Sequence, residues 1–391
     1  MRRIAALFLG CLGGSLGVPA VAFAEAPIIG GHDAMAGTWP DVAAVNDAGG
    51  EQGCTGTLIA PTVVITAQHC MEINPSAVVI GTTSLARPSE GEVIPVIKHV
   101  GYPNGFRSFD VGVLVLQRPS TLPPRKIASG WASVDIKNGA MAAIVGYGAI
   151  DRDSLVYKDE LQEAVVPITE AECTDSVGGT ALAKPAGELG AGGMGIDTCE
   201  GDSGGPLYIT SDLGTFLAGV TSRGYDDNQF TCSEDGIYAR PDKVIAWIEK
   251  EAGVPVMKGP EPTFGELSSV RGGAAETTIE ANDPKSDSHT FSVTKQPMYG
   301  SAKVLDDGRV RVCTNPDVAG TDSLIVTITD TKDASRSIFI TMPLTIMDGT
   351  PQSCSLDDFE EDGGCCSTSR SATGSIPLGL ALLALLRRKR R

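Results

Sequence analysis

Basic residues are scarce in this chain of 391 residues. It contains 31 Lys and Arg against 48 Asp and Glu, and its formal net charge is −17. Seven of the basic residues lie at the two ends, at Arg2, Arg3 and 387–391, so 24 basic residues face 48 acidic ones in the rest of the chain. A chain this acidic has no general electrostatic attraction for nucleic acid, and we expect no nucleic-acid partner.

Histidine and closely spaced metal ligands are scarce as well. The sequence has four histidines, and residues 28–252 lack the short paired spacing of cysteines that zinc sites use. We therefore expect no metal and no cofactor. The apolar run at 376–386 is about eleven residues long, whereas an independent membrane span needs roughly twenty.

The length and the amino terminus predict an exported protein with two or more domains. A chain of 391 residues exceeds what one hydrophobic core usually supports. Arg2 and Arg3, followed by an apolar run and by small residues up to Ala24, predict a secretory signal at 1–24, with a buried helix as the alternative. Ten cysteines in a secreted chain imply disulfides, although Cys11 would leave with the signal.

Residues 28–252 predict an all-β domain. This stretch consists of short β-branched runs separated by Gly, Pro, Asn and Asp, which is typical of a β-barrel or a β-sandwich. The predicted strands include 62–65, 93–97, 111–116, 142–145 and 164–168. A helix is predicted at 241–251, where apolar residues recur at helical spacing.

Residues 266–348 predict a second all-β domain. Prolines, glycines and charged residues at 253–265 favour a linker between the two domains. The alternating runs beyond the linker are 289–294, 302–304, 309–312, 323–329 and 337–342. The phrase Gln296–Ala302 and the turn at 306–308 resemble bacterial cadherin-like or immunoglobulin-like domains, which implies a β-sandwich.

Three short motifs resemble those of the trypsin-like serine proteases, which share the chymotrypsin fold. They are Thr66–Cys70, Ser108–Leu114 and Gly201–Pro206. The order His, Asp, Ser also distinguishes this family from subtilisins and α/β-hydrolases. The resemblance implies that residues 28–252 form two six-stranded β-barrels with a carboxy-terminal helix.

The resemblance assigns the catalytic roles to His69, Asp110 and Ser203. A neutral serine hydroxyl is a poor nucleophile and needs a base, which His69 would supply. Asp110 would hold the imidazole in the required tautomer and stabilise the imidazolium. The backbone N–H groups of Gly201 and Ser203 would form the oxyanion hole. A structural histidine and an ordinary strand-edge aspartate are the alternatives, and Gln68 stands where the family usually has alanine.

The same resemblance implies cleavage after Arg or Lys. Asp197 occupies the base of the primary specificity pocket, where a carboxylate favours a guanidinium or ammonium group; a solvated loop aspartate is the alternative. The residues expected to line the pocket are Asp197, Ser222, Gly224 and Gly236. Arg223 stands where the family usually has tryptophan, and Glu200 adds an acid at the rim, so preferences at neighbouring subsites are open.

Ile28 and the three residues after it resemble the mature amino terminus of these proteases. In the family the freed α-amine pairs with the aspartate before the nucleophile, here Asp202, and this pairing orders the oxyanion hole. Residues 25–27 would remain after signal cleavage as a short propeptide. Because Pro27 is not a trypsin-type activation residue, the route that frees Ile28 is open.

The resemblance also implies two disulfides in the protease domain, Cys54 with Cys70 and Cys199 with Cys232. Each should stabilise the fold by about 2–4 kcal/mol. A family position like Cys173 has a partner that this sequence lacks. The states of Cys173 and of Cys313 are therefore open.

Residues 349–391 predict an acidic linker and a carboxy-terminal tag. Two adjacent cysteines, a brief apolar segment and a basic terminus at 365–391 resemble the sorting tags of myxobacterial surface proteins, which implies a membrane or cell-surface location. A disordered tail with a chance apolar patch is the alternative. The chain is thus expected to be a secreted or surface-anchored serine endopeptidase acting on proteins or peptides, the alternative being an adhesive protein with a vestigial protease domain. The sequence gives no oligomeric state.

Overall fold

A computed structural model describes residues 27–103, 109–151, 156–173, 187–193, 195–224, 232 and 235–360. These residues form an all-β molecule of two closed barrels followed by a two-sheet sandwich. The predicted fold class is confirmed. The predicted signal at 1–24, the two cysteines at 365–366 and the apolar run at 376–386 lie outside the described residues.

The first barrel is closed by six antiparallel strands, in the order β2-β3-β4-β7-β6-β5. Its strands are β2 Val42–Asn46, β3 Gln52–Ala60, β4 Val63–Thr66, β5 Ala77–Ile80, β6 Glu92–Gly101 and β7 Gly112–Leu116. All four residues of β4 are buried, because one face of this strand lines the barrel and the other packs against neighbouring elements. Short 3₁₀ turns follow β4 at His69–Ile73 and precede β6 at Pro88–Glu90.

The second barrel contains six further strands, and the pairing of β8 with β9 closes it. Its strands are β8 Met141–Gly146, β9 Gln162–Glu170, β10 Glu188–Gly192, β11 Pro206–Ser211, β12 Gly214–Gly224 and β13 Asp235–Ala239. Side chains along β9 alternate between buried and less buried positions, as a strand with one face in a core requires. A two-residue strand, β1 His32–Asp33, extends the sheet beside β9.

Helical structure is confined to short segments in the described residues. Pro27–Gly30 (α1) is a turn in which Ile28 has a φ of 36°. The helix α2, Ile245–Ala252, follows a 3₁₀ turn at Pro241–Lys243 and ends at a left-handed Gly253 with a φ of 70°. It begins four residues later than the predicted 241–251, because the first turn is 3₁₀. None of the helices among these residues has the length and apolar character needed to span a membrane.

The sandwich packs two four-stranded sheets face to face, in the orders β14-β16-β19-β18 and β15-β21-β20-β17. Its strands are β14 Thr263–Phe264, β15 Leu267–Val270, β16 Ala274–Glu280, β17 His289–Lys295, β18 Gly300–Val304, β19 Arg309–Thr314, β20 Gly320–Asp330 and β21 Ser337–Met347. All pairs are antiparallel except β15 with β21. Buried Leu, Ile and Val residues from both inner faces form its core.

The segment after the sandwich lies against one of its sheets. Cys354 forms a disulfide with Cys313 on β19, which answers the question that the sequence left open for Cys313. Phe359 is 4% exposed, and the guanidinium of Arg311 lies 4.6 Å from its ring centre. Residues 351–360 of the predicted acidic linker therefore pack on the sandwich.

The predicted linker at 253–265 is bonded to the first barrel and to the sandwich. The N–H of Met257 donates to the carbonyl of Ile59 at 2.9 Å, and the N–H of Gly259 donates to that of Ile127 at 3.0 Å. Its last residues belong to β14, which pairs with β16. The linker is thus extended and held along much of its length.

Trp131 joins the protease barrels to the sandwich. It lies on a 3₁₀ turn, Gly130–Asp135, between β7 and β8, and its side chain is fully buried within the apolar cluster of the sandwich. Its indole N–H donates to the carbonyl of Ala281 at 2.6 Å, and the guanidinium of Arg336 lies 5.6 Å from its ring. A large aromatic side chain of one domain thus fills the core of the other.

Candidate active site

His69 and Asp110 meet because the strands that precede and follow them are neighbours. His69 follows β4, Asp110 precedes β7, and Thr66 of β4 pairs with Gly112 of β7. His69 Nδ1 lies 2.8 Å from Asp110 Oδ2, and the backbone N–H of His69 donates to Asp110 Oδ1 at 3.0 Å. With its Nδ1 proton directed at the carboxylate, the imidazole presents Nε2 as an acceptor.

The carboxylate of Asp110 is ionised despite its burial. The residue is 0% exposed, and the hydroxyl of Ser222 donates to its Oδ2 at 2.6 Å. Burial alone raises the pKa of Asp110, but hydrogen bonds from His69 and Ser222 and the charge of His69 outweigh that effect and lower the pKa below its usual value. A fixed negative charge therefore lies behind the imidazole.

Ser203 lies between the two barrels, just before β11. Its carbonyl accepts the N–H of Thr55 on β3 at 2.8 Å. Cys54, the neighbour of Thr55, is bonded to Cys70, the neighbour of His69, in a disulfide with a Cα–Cα distance of 6.2 Å. The first barrel therefore holds the serine loop beside the histidine turn.

Glycine is required next to this serine. Gly204 has a φ of 82°, and a Cβ atom added there would lie 2.0 Å from Thr66 Oγ1. Its N–H donates to the carbonyl of Thr221 at 2.8 Å. Only a residue without a side chain fits this close approach.

Two side chains of β3 fix the peptide on the other side of Ser203. The carbonyl of Gly201 accepts hydrogen bonds from Gln52 Nε2 at 3.0 Å and from Thr55 Oγ1 at 2.8 Å. The preceding carbonyl, that of Glu200, accepts the N–H of Ala149 at 2.8 Å. Since the N–H and C=O of a trans peptide point in opposite directions, the bond to the Glu200 carbonyl fixes the direction of the Gly201 N–H, and the bonds to the Gly201 carbonyl fix that of the Asp202 N–H.

A cavity of about 140 Å³ opens beside Ser203. Its lining residues are Asp197, Thr198, Cys199, Glu200, Ser203, Thr221, Ser222, Arg223, Gly224 and Cys232. Asp197 is 2% exposed, and its Oδ1 accepts the N–H of Thr198 at 2.8 Å. The cavity thus joins a buried carboxylate to the serine.

The two glycines predicted to keep the pocket open face each other in the ladder between β12 and β13. Gly224 pairs with Gly236, and Gly224 lines the cavity. A Cβ atom on Gly236 would lie 3.1 Å from Asp197 Oδ1 and 3.1 Å from the hydroxyl of Tyr238. A larger residue at position 236 would press on the carboxylate.

The structure contains the two disulfides that the resemblance implied. Cys199 and Cys232 are bonded, with a Cα–Cα distance of 5.4 Å, and both line the cavity. Cys54, Cys70 and His69 lie close enough together to hold a metal ion, but the two cysteine sulfurs are engaged in their disulfide. Cys173 is buried and forms no disulfide within the part of the chain that the structure describes.

Asp202 is buried with backbone partners. It is 0% exposed; Gly148 donates its N–H to Oδ1 at 2.8 Å and Cys199 donates to Oδ2 at 2.9 Å. Burial raises the pKa of Asp202 to about 7, because these two hydrogen bonds offset only part of the cost of desolvation. No cationic group among the described residues pairs with it.

Ile28 is buried in the core of the second barrel. It is 0% exposed, and the carbonyl of the next residue, Ile29, accepts the N–H of Asp197 at 3.2 Å. In this structure Pro27 precedes Ile28, so the Ile28 nitrogen is an amide. The turn that contains Ile28 therefore lies next to Asp197, which lines the cavity, in a chain that is still joined to Pro27.

Sequence reasoning missed Gln52, Thr55 and Glu188 as residues of this site. Gln52 reaches Gly201 across 149 positions, and Glu188 reaches Arg223 across 35. A lone glutamine or glutamate in a strand carries no motif. Arg223 was the one available signal, because a charged residue there departs from the aromatic one that the family resemblance leads us to expect.

Comparison with known proteins agrees with this geometry. A sequence model described as "Trypsin" matches residues 28–248, and one described as "Bacterial Ig domain" matches residues 255–342. A protein named "Trypsin" from Saccharopolyspora erythraea is 32% identical over 222 residues, which cover 54% of this chain and 92% of that protein.

Two mouse proteins are also similar to this chain. "Serine protease 56" from Mus musculus is 32% identical over 269 residues, which cover 64% of this chain and 42% of that protein. The solved structure of neuropsin, a serine protease expressed in the limbic system of mouse brain, is 27% identical with a TM-score of 0.48. It matches 56% of this chain and 97% of its own.

The match at 28–248 covers more than half of the chain. A bacterial immunoglobulin domain follows it. The chain therefore belongs to the trypsin family of serine proteases, enzymes that hydrolyse peptide bonds.

Proposed function

We propose that the chain is an exported endopeptidase that cleaves after Arg or Lys, with His69, Asp110 and Ser203 as its catalytic residues. The observation that carries this proposal is the cavity beside Ser203 with the buried carboxylate of Asp197 in its lining. The hydrogen bond of 2.8 Å between His69 and Asp110 supports the catalytic roles.

The reaction follows from the roles of these groups. His69 Nε2 takes the proton of the Ser203 hydroxyl as its oxygen attacks the substrate carbonyl carbon, and the N–H groups of Gly201 and Ser203 receive the oxyanion. The imidazolium, stabilised by ionised Asp110, then protonates the leaving amine and an acyl-enzyme remains. A water molecule, deprotonated by His69, hydrolyses the acyl-enzyme and restores the hydroxyl of Ser203.

Specificity would come from Asp197. A guanidinium or ammonium group that enters the cavity would form an ion pair with this buried carboxylate. Phe or Leu supplies no cation to the Asp197 carboxylate. Glu200 is exposed at the rim, where solvent screens its charge, so it contributes less to this choice.

Peptide substrates that differ only in the residue before the scissile bond test this assignment. We expect Arg and Lys to exceed Phe and Leu in kcat/KM, and Asp197→Asn to lower kcat/KM for the basic substrates by about a hundredfold or more, because the substrate charge is then buried without its partner. Glu200→Gln is the matched control and should change the ratio less than about tenfold. Faster cleavage after Phe by the wild-type enzyme would contradict the assignment.

Activation would require cleavage before Ile28. The freed amine would supply the buried Asp202 carboxylate with a cation. Its proposed effect is to hold the Gly201–Ser203 loop in the form that binds the oxyanion. The protease that cuts after Pro27 would differ from a trypsin-type activator.

Export and surface attachment are proposed from the two chain ends. The basic and apolar residues at 1–24 support export, and the disulfides agree with an oxidising compartment. The apolar and basic residues at 365–391 support attachment to a membrane or cell surface. Sequencing of the mature amino terminus tests export. Comparison of the cell-surface and medium fractions for a chain that ends at Asp362 tests attachment, and unchanged surface retention would contradict it.

A further inference from the structure

Arg223 carries a buried positive charge next to the catalytic groups. Its side chain is 9% exposed and that of Glu188 is 0% exposed. Arg223 Nη1 donates to Glu188 Oε1 at 2.9 Å and Nη2 donates to Oε2 at 2.8 Å. This two-pronged geometry fixes the plane of the guanidinium, so the pair behaves as a rigid unit.

The pair is hydrogen bonded to the catalytic carboxylate through one serine. Arg223 Nη1 also donates to Ser222 Oγ at 3.0 Å, and Ser222 Oγ donates to Asp110 Oδ2 at 2.6 Å. A guanidinium has donors and no acceptor. The Ser222 hydroxyl must therefore accept from Arg223, which leaves its own proton for Asp110.

The positive end of the pair is the end that faces His69 and Asp110. Arg223 reaches Asp110 through one hydroxyl, whereas Glu188 lies on the far side of the guanidinium. The other titratable groups in this region are Glu170 at the end of β9, and Glu172 and the thiol of Cys173 just after it. Burial and the charges of Glu170, Glu188 and Glu172 raise the pKa of the Cys173 thiol, and the charge of Arg223 lowers it.

We propose that Arg223 and Glu188 are positioning residues that orient the Ser222 hydroxyl toward Asp110 and set the pH range in which the catalytic centre works. The proposal rests on the catalytic roles proposed for His69, Asp110 and Ser203. The guanidinium favours the ionised carboxylate and opposes protonation of the imidazole, and Glu188 limits both effects. Arg223 also lines the cavity beside Ser203, whereas Glu188 does not, so the midpoint of the pH profile is the quantity that reports this role.

The two charges must act in opposite directions. Neutralising Arg223 leaves a net negative group behind Asp110, which favours protonated His69, so the acid limb of kcat/KM against pH moves to higher pH. Neutralising Glu188 leaves a net positive group there and moves the acid limb to lower pH. Through a partly buried region, one charge at this range changes a titration midpoint by about half a pH unit or more.

The experiment compares Arg223→Gln, Glu188→Gln and the double variant in the mature enzyme, with a substrate whose charge is constant over the pH range. Active-site titration counts the competent molecules, so misfolded protein does not enter kcat/KM. We expect the midpoint to rise in Arg223→Gln, to fall in Glu188→Gln, and to lie between them in the double variant. If a single variant does not fold, Glu188→Leu combined with Arg223→Met removes both charges without an unpaired ion, and its midpoint should exceed that of the wild type.

Arg125→Gln supplies the matched control. Arg125 also pairs with a buried acid, since its Nε donates to Asp41 at 2.9 Å, but its partners are Asp41, Trp39 and Tyr208. The Arg125→Gln variant should lower the stability of the fold and leave the midpoint of the pH profile unchanged. Shifts of equal sign in the two single variants, or none in titratable enzyme, would overturn the proposal. Full turnover by His69→Ala would instead overturn the catalytic assignment itself.

Discussion

Asp202 is the residue whose environment would change through the proposed cleavage before Ile28. Its carboxylate is fully buried with two backbone N–H partners, and burial raises its pKa to about 7. In the unfolded chain the pKa is near the ordinary value of 3.8. The uncut protein therefore binds a proton more tightly when folded than when unfolded.

The sign of the pH dependence follows from this difference. Between pH 4 and 7 the folded uncut chain holds a proton that the unfolded chain has lost, so its stability falls as the pH rises through this window. From pH 5 to pH 8 the loss amounts to about 2–3 kcal/mol in the free energy of unfolding. Urea unfolding of the uncut Ser203→Ala protein at the two pH values measures it.

The control is Asp202→Asn in the same background, because an amide does not titrate. The decrease in the free energy of unfolding between pH 5 and pH 8 should be smaller in the variant by about 2–3 kcal/mol. Equal decreases in the two proteins would contradict the account of Asp202. In the cut protein the Ile28 amine would offset the burial cost, and the decrease should shrink there as well.

At the residue scale, motifs identified the proposed catalytic residues but not the residues that hold them in place. His69 and Asp110 follow from short motifs, and the structure brings them to hydrogen-bond distance. Gln52 and Glu188 could not be predicted, because each acts on a residue far away in the sequence through a single contact. Such a contact depends on the register of strands, which no local pattern specifies.

At the scale of elements, the 3₁₀ turn Gly130–Asp135 fastens the sandwich to the protease barrels. Trp131 on this turn is fully buried in the sandwich core and hydrogen bonded to Ala281. Gly130 has a φ of 53°, and a Cβ atom there would lie 2.1 Å from the carbonyl oxygen of Pro260. The turn and the predicted linker therefore fit closely together.

Trp131→Ala should separate the two units. Removing a buried tryptophan leaves a cavity and costs about 3–5 kcal/mol, and here the cost falls on the contact between domains. We expect calorimetry to show two separate unfolding transitions in the variant, one for each domain. In the wild type the two domains should unfold more cooperatively. Phe339→Ala, at a position 72% exposed on the sandwich, is the control and should leave the transitions unchanged.

Strand patterns predicted many elements, but their pairing could not be obtained in the same way. The run at 164–168 lies within β9 and was recognised because it is continuously apolar. The run at 309–312 lies within β19 and was recognised because apolar and charged residues alternate along it. Trp131 gave no signal of its role, since a single aromatic residue in a loop looks the same whether it faces solvent or another domain. Its role depends on how the domains are placed.

At the scale of the whole molecule, the cleft between two barrels gathers the groups of the site. The first barrel contributes His69 and Asp110, and the second contributes Ser203 and the cavity with Asp197. The chymotrypsin fold was predicted from three motifs, because they are specific to one family. The packing of 351–360 and the contact through Trp131 required the structure.

The catalytic assignment is tested by labelling the mature enzyme with a fluorophosphonate and locating the label by peptide mass analysis. A serine activated by His69 should react with one equivalent, and the label should lie on Ser203; His69→Ala should lose both the label and turnover, because no base remains to take the proton. Label on another serine, or hydrolysis that continues after Ser203 is fully labelled, would contradict the account.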